Sequence, residues 1–104
     1  TDVARRPAMV SPESYLCVQN YPNPFNQQTL ISFSLASAEQ VQVTIYDSQG
    51  RLIRTLVQAT LAAGNHELRW DGCDGRNRVL ASGVYFYQLT AGDQIARNKL
   101  LLLR

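Results

Sequence analysis

Histidine occurs once, at His66, and cysteine twice, at Cys17 and Cys73, in a chain of 104 residues. A zinc cage or a redox pair has little to draw on, because the two cysteines lie far apart rather than in the close pairs of a zinc site or a CxxC motif. Charge is also sparse. Charged residues make up 17 % of the chain, and the 10 basic against 8 acidic side chains are scattered with no block of like sign. A phosphate-neutralising stripe for nucleic acid is therefore missing. No run of about 18 apolar residues exists to span a membrane as a helix, and the N-terminus lacks the charged-then-apolar layout of a signal peptide. The hydrophobic share of 45 % is that of a globular domain and excludes a disordered tail. The length suits one core. Because the sequence opens on Thr1 rather than Met, it is expected to be a fragment whose targeting signal lay upstream.

Residues 1–14 mix Pro, Ser, Ala and charge without period and read as a linker or flexible arm. After Tyr15 apolar residues recur at every second position in short runs divided by Gly, Asn, Asp and Pro, the pattern of half-buried strands. Seven runs stand out: 15–20, 29–35, 40–47, 51–57, 65–70, 83–90 and 94–103. In the second, Ile31, Phe33 and Leu35 face one way and Ser32 and Ser34 the other; in the third, Val41, Val43 and Ile45 oppose Gln42 and Thr44. Asp47-Ser48-Gln49-Gly50 carries Asp first and Gly fourth, as a type I turn prefers, and predicts a hairpin. The fifth run sets His66, Leu68 and Trp70 against Glu67 and Arg69. Gly83 to Thr90 is apolar on both faces, which predicts a central strand covered twice. No window longer than ten residues has a convincing 3.6 period. The expected fold is an all-β, seven-stranded sandwich of immunoglobulin or fibronectin III kind over residues 15–104, with Trp70 as the largest piece of its core.

Catalytic chemistry finds few candidates. His66 alternates in phase with Leu68 and Trp70 and reads as a semi-buried ring with a satisfied nitrogen. No GxSxG elbow occurs, and neither cysteine sits in an active-site run. Asp71 and Asp74 bracket a glycine turn, but their spacing is not that of an EF-hand loop and Asp in turns caps its own backbone. No enzyme activity, metal or cofactor is expected. Cys17 and Cys73 read as small buried side chains or, in an oxidising compartment, as one bridge worth on the order of 3 to 4 kcal/mol. Tyr46, Tyr85, Phe86 and Tyr87 suggest a carbohydrate platform, although alternation must send at least one set into the core. Tyr21-Pro22-Asn23-Pro24-Phe25-Asn26 predicts a rigid elbow anchored by its two aromatics and covering the end of the sandwich. The closing leucines 100–103 lie where chain ends fray, so they must pair inside a sheet or serve as a docking edge.

These residues also carry a family likeness. YPNPFN at 21–26, ISFSL at 31–35, VTIYDSQGRLIRTL at 43–56, AAGNHELRWDG at 63–72, ASGVYFYQL at 81–89 and the closing KLLLLR together resemble the C-terminal sorting domain of the type IX secretion system. The likeness implies a seven-stranded sandwich at the end of a longer secreted protein of Bacteroidetes-like bacteria, brought to the outside or the cell surface via the periplasm. It implies recognition by an outer-membrane translocon, and often removal by a sortase-like peptidase cutting before Tyr15 as the upstream cargo is released. Gly83, Tyr85, Gly92, Lys99, Leu100, Leu101, Leu102 and Leu103 fall on the family's closing motifs that carry recognition. The WDG to GVYFY segment is similar too to the Ig-like domain of the flagellar hook-capping protein. Cys17 and Cys73 depart from the sorting-domain pattern. A carbohydrate-binding or spacer module of a secreted hydrolase is the alternative reading.

Overall fold

A pleated strand sends successive side chains to opposite faces, so period-two sequences bury one face and wet the other. The computed structural model describes residues 19–104, and there the chain forms β1 (Gln19–Tyr21), β2 (Thr29–Leu35), β3 (Glu39–Asp47), β4 (Leu52–Leu61), β5 (Gly64–Trp70), β6 (Gly83–Ala91) and β7 (Gln94–Leu102). All pairings are antiparallel, in a three-stranded sheet of order β1-β2-β5 and a four-stranded sheet of order β4-β3-β6-β7. The expected sandwich is what forms. At one end Ile31 and Trp70 of the small sheet meet Ile45, Tyr85, Tyr87, Leu100 and Leu102 of the large one, with Phe25 from the connection. At the other end Phe33 and Leu35 meet Val41, Val43, Leu89 and Ala91.

Three expectations are corrected. β6 lies centrally between β3 and β7 but is covered once: Tyr85, Tyr87 and Leu89 are buried, while Val84 and Phe86 on the outer face are 37 % and 39 % exposed. Two sheets give each strand one inner face, and the outer apolar residues reflect the fit of aromatic and β-branched side chains to a pleated surface. β4 continues to Leu61 rather than stopping at Val57, pairing Glu39↔Leu61 through to Tyr46↔Leu52, and leaves only Ala62 and Ala63 between strands. Of the elbow's two aromatics, Phe25 is buried and Tyr21 is 80 % exposed, so one ring anchors it. The linker 1–14, the start of the first expected strand at Tyr15, and Cys17 lie outside the described residues.

Two surface turns share one construction. In Asp47-Ser48-Gln49-Gly50-Arg51 the Gly50 N–H donates to the Asp47 carbonyl at 3.0 Å, while one Asp47 carboxylate oxygen accepts from the Gln49 and Arg51 amides, both at 2.9 Å. Its other oxygen accepts from Arg51 Nε at 2.8 Å. Asp74-Gly75-Arg76-Asn77-Arg78 repeats this with Asn77 amide to Asp74 carbonyl, Arg76 and Arg78 amides to the carboxylate, and Arg78 Nε at 3.0 Å. The fourth residue has positive φ in each, 83° at Gly50 and 63° at Asn77, a conformation that Gly and Asn tolerate best. The backbone amide of Arg51 acts most strongly to lower the Asp47 pKa, and that of Arg78 does the same for Asp74. A carboxylate with a folded pKa below its unfolded value stabilises the fold above the unfolded pKa, and the contribution disappears as pH falls through the folded pKa. The double variant Asp47→Asn, Asp74→Asn is therefore expected to be less stable at neutral pH and to show a shallower acid decline below about pH 4, as denaturant melts across pH would read.

Candidate functional site: the clasped chain end

The leucine-rich end is held on both sides. Along one side β7 pairs with β6 from Ala91↔Gln94 to Gly83↔Leu102. Along the other, where an edge strand would leave backbone groups unpaired, the Tyr21–Asn26 elbow takes the place of a neighbouring strand. The Asn23 carboxamide accepts from the Leu101 amide at 3.0 Å and donates to the Lys99 carbonyl at 3.2 Å. One side chain thus imitates a peptide group. Phe25 continues in parallel register with Leu102: its N–H donates to the Leu101 carbonyl at 2.9 Å, and its carbonyl accepts from the Leu103 amide at 2.8 Å. The elbow itself is tied down by Thr29, whose buried hydroxyl donates to the Pro22 carbonyl at 2.8 Å. Its two X-Pro bonds, Tyr21-Pro22 and Asn23-Pro24, are cis.

Arg104 completes the clasp. Its guanidinium donates to the carbonyls of Leu80 at 2.7 Å, Gly72 at 2.9 Å and Asn26 at 3.4 Å, and its amide donates to Ser82 Oγ at 2.8 Å. The fork of N–H donors lets one arginine tie two connections together, the β5–β6 loop at Gly72 and Leu80 and the β1–β2 elbow at Asn26. Gly72, at φ 74°, has a left-handed backbone that strains any side chain, and a Cβ there would push aside the Arg104 guanidinium nitrogen, 2.5 Å from where it would sit, and so disturb the clasp. Beneath the clasp lies Trp70, fully buried. Its indole N–H donates to the Cys73 carbonyl at 3.0 Å, and its ring packs on Phe25 and Tyr85 at centroid distances of 5.5 and 5.6 Å. Cys73 is a half-buried free thiol whose pKa is raised first by burial and then by Asp71.

The residues singled out for recognition fall into three groups. Tyr85, Leu100 and Leu102 are core side chains, with the Tyr85 hydroxyl donating to the Ala81 carbonyl at 2.7 Å. Leu101 is half-buried, while Lys99 and Leu103 are exposed beside the elbow and Gly83 opens β6. Gly92 is elsewhere. It sits in the β6–β7 hairpin at φ 58°, about 26 Å of strand away at ~3.3 Å per residue. Asn23, Gly72 and Arg104 lie inside the motifs YPNPFN, AAGNHELRWDG and KLLLLR but carry no predicted role of their own, and Thr29 only opens a predicted strand; the available signal is an arginine closing an otherwise apolar run.

Other chemistry-bearing residues are occupied structurally. His66 stacks on Phe33 at 5.4 Å, with Nε2 2.7 Å from the Ala62 carbonyl. Among the described residues no three His, Cys, Asp or Glu side chains converge on a metal position, and no helix is long and apolar enough to cross a membrane. Of the tyrosines considered for a sugar platform, Tyr85 and Tyr87 are core. Burial pushes the Tyr87 phenol up to about 12. A phenol whose folded pKa exceeds its unfolded value of about 10 supports the fold fully below that value and loses the contribution as pH rises through the folded pKa. Stability is thus expected to fall between about pH 10 and 12, and Tyr87→Phe should flatten that limb in alkaline melts.

The model of the FlgD Ig-like domain family matches residues 20–94. The chain belongs to this family. The basal-body rod modification proteins FlgD of Salmonella typhimurium and Salmonella typhi are each 38 % identical to it over 56 residues, covering 54 % of this chain and 24 % of theirs. The chain thus spans about a quarter of the length of these curated relatives. Among solved structures, dimeric latent PorU of Porphyromonas gingivalis aligns with a TM-score of 0.68 at 20 % identity, over 83 % of this chain and 9 % of that one. PorZ of the same organism aligns with a TM-score of 0.55 at 22 % identity, over 85 % and 12 %. At these identities the likeness speaks to the fold. The family match ends at Gln94, so the clasp on residues 99–104 lies beyond the part that the model describes.

Proposed function

We propose that this domain is a non-catalytic address carried at the end of a longer secreted protein and read, in folded form, by an outer-membrane translocon of type IX secretion. Support comes from the fold it shares with PorZ, a surface component of that system, and from the order of motifs ending in KLLLLR. The observation that carries the reading is the clasp, which folds the end of β7 into the sheet and leaves Lys99 and Leu103 exposed next to the elbow. A linear signal would need no such scaffold. On this reading the partner contacts that exposed surface, while Leu100, Leu102 and Tyr85 act by shaping it. A sortase-like peptidase would then separate the domain from its cargo within the linker.

Fusing a reporter ahead of residues 1–104 in a host with this machinery tests the proposal. The variant Lys99→Ala, Leu103→Ala should keep its melting temperature and lose export. Export that survives both this change and removal of residues 99–104 would refute it. A second reading is favoured by the family match itself: an assembly domain of FlgD kind, in which residues 20–94 carry the activity. That reading predicts that the exposed chain end is dispensable and that exchanging residues 20–94 for the corresponding FlgD segment preserves function.

A further inference from the structure

Strand edges invite further pairing unless they are shortened, charged or covered. The outer edge of β7 is covered by the elbow and carries Arg97 and Lys99; that of β5 carries exposed Glu67 and Arg69; and β1 covers only three of the described residues. The outer edge of β4 differs. It is blocked only at its start, where the Gly75 N–H donates to the Ile53 carbonyl at 3.0 Å. From Thr55 to Leu61 it has no charge and no proline, and among the described residues no backbone group bonds to its open side.

We propose that this edge pairs antiparallel with the same edge of a second copy of the chain, joining two four-stranded sheets across a two-fold axis at Ala59. The segment Val57-Gln58-Ala59-Thr60-Leu61 reads alike from either end. With Ala59 on the axis, Val57 lies opposite the partner copy's Leu61 and Gln58 opposite its Thr60. Val57 and Leu61 pack on the inner side against the Phe33 cluster. Thr60 lies on the outer side, its hydroxyl 3.4 Å from the Gln40 side-chain oxygen. Apolar side chains therefore meet apolar ones over the core, and amide meets hydroxyl on the wet face. A two-fold interface sets each group near its own copy, so any charge at the axis would repel itself. Among the described residues β4 alone of the long edges satisfies that condition, since its nearest charge, Arg54, is paired with Asp71 at 3.0 Å.

Sedimentation equilibrium of the full chain over a concentration series tests this. A concentration-dependent dimer is expected, with Ala59→Lys weakening it about tenfold or more, or about 1.4 kcal/mol, at an unchanged melting temperature because Ala59 is exposed. A monomer at every concentration, or a dimer that Ala59→Lys leaves intact, would overturn the proposal. An independent measurement does not depend on the lysine variant folding. With Cys17 and Cys73 replaced by serine, Ala59→Cys should oxidise to a covalent dimer and Leu52→Cys, on the blocked part of the strand, should not. Equal cross-linking of the two would also contradict it.

Discussion

Trp70→Ala should lower the free energy of unfolding by about 3 to 5 kcal/mol, the cost of leaving a cavity in place of the largest core side chain. The expected value lies at the upper end, because three interactions go together: the ring contacts with Phe25 and Tyr85, and the indole N–H bond to the Cys73 carbonyl. That carbonyl belongs to the loop that also offers the Gly72 carbonyl to Arg104. The loss should therefore spread to the chain end, read as faster amide exchange at Leu103. Trp70→Phe, which keeps a ring and removes the indole donor, should cost less than half as much. A Trp70→Ala loss below about 1 kcal/mol would mean that the two sheets do not share this residue as a core.

Leu102→Ala is the second large effect, at about 2 to 5 kcal/mol, with Leu100→Ala in the same range, since both side chains are fully buried. Their neighbours give the contrast. Leu103 is 50 % exposed, and Leu103→Ala should stay within about 0.5 kcal/mol. Four consecutive leucines thus divide by strand alternation into a stabilising pair, a half-buried member and a surface member. Urea midpoints of these single variants would check the order. If the domain is an address, the consequences for export should diverge as well: Leu102→Ala should reduce it in step with the unfolded fraction, and Leu103→Ala without any change in stability.

Much of this architecture was legible because period-two runs leave little choice of face. The inward sets Ile31-Phe33-Leu35, Val41-Val43-Ile45 and Leu68-Trp70 are those that face the core. The Asp47 turn was legible through Asp at its first position and Gly at its fourth. The capping role of Asp74 was legible too, as an Asp in a turn bonding its own backbone, but the position of its turn was not, because Asn77 rather than glycine takes the positive φ. The double coverage expected of β6 came from reading apolar residues as burial, whereas Val84 and Phe86 sit on an open face. The pairing that makes the clasp was not legible. Asn23 meets Leu101 across most of the chain, and Arg104 meets Gly72 from 32 positions away, and no local pattern marks a side chain that stands in for a strand. The expectation that the closing leucines must be tied down pointed to the right place without naming what ties them.

Everything rests on the end of the chain being locked into the fold, and amide hydrogen exchange of Leu101 and Leu103 tests that most directly. These two protons point away from β6, to the Asn23 side chain and the Phe25 carbonyl. Protection close to that of Tyr87 and Leu89 in the sheet centre is the predicted result. Exchange at the rate of an unstructured peptide, with the sheet centre still protected, would contradict it.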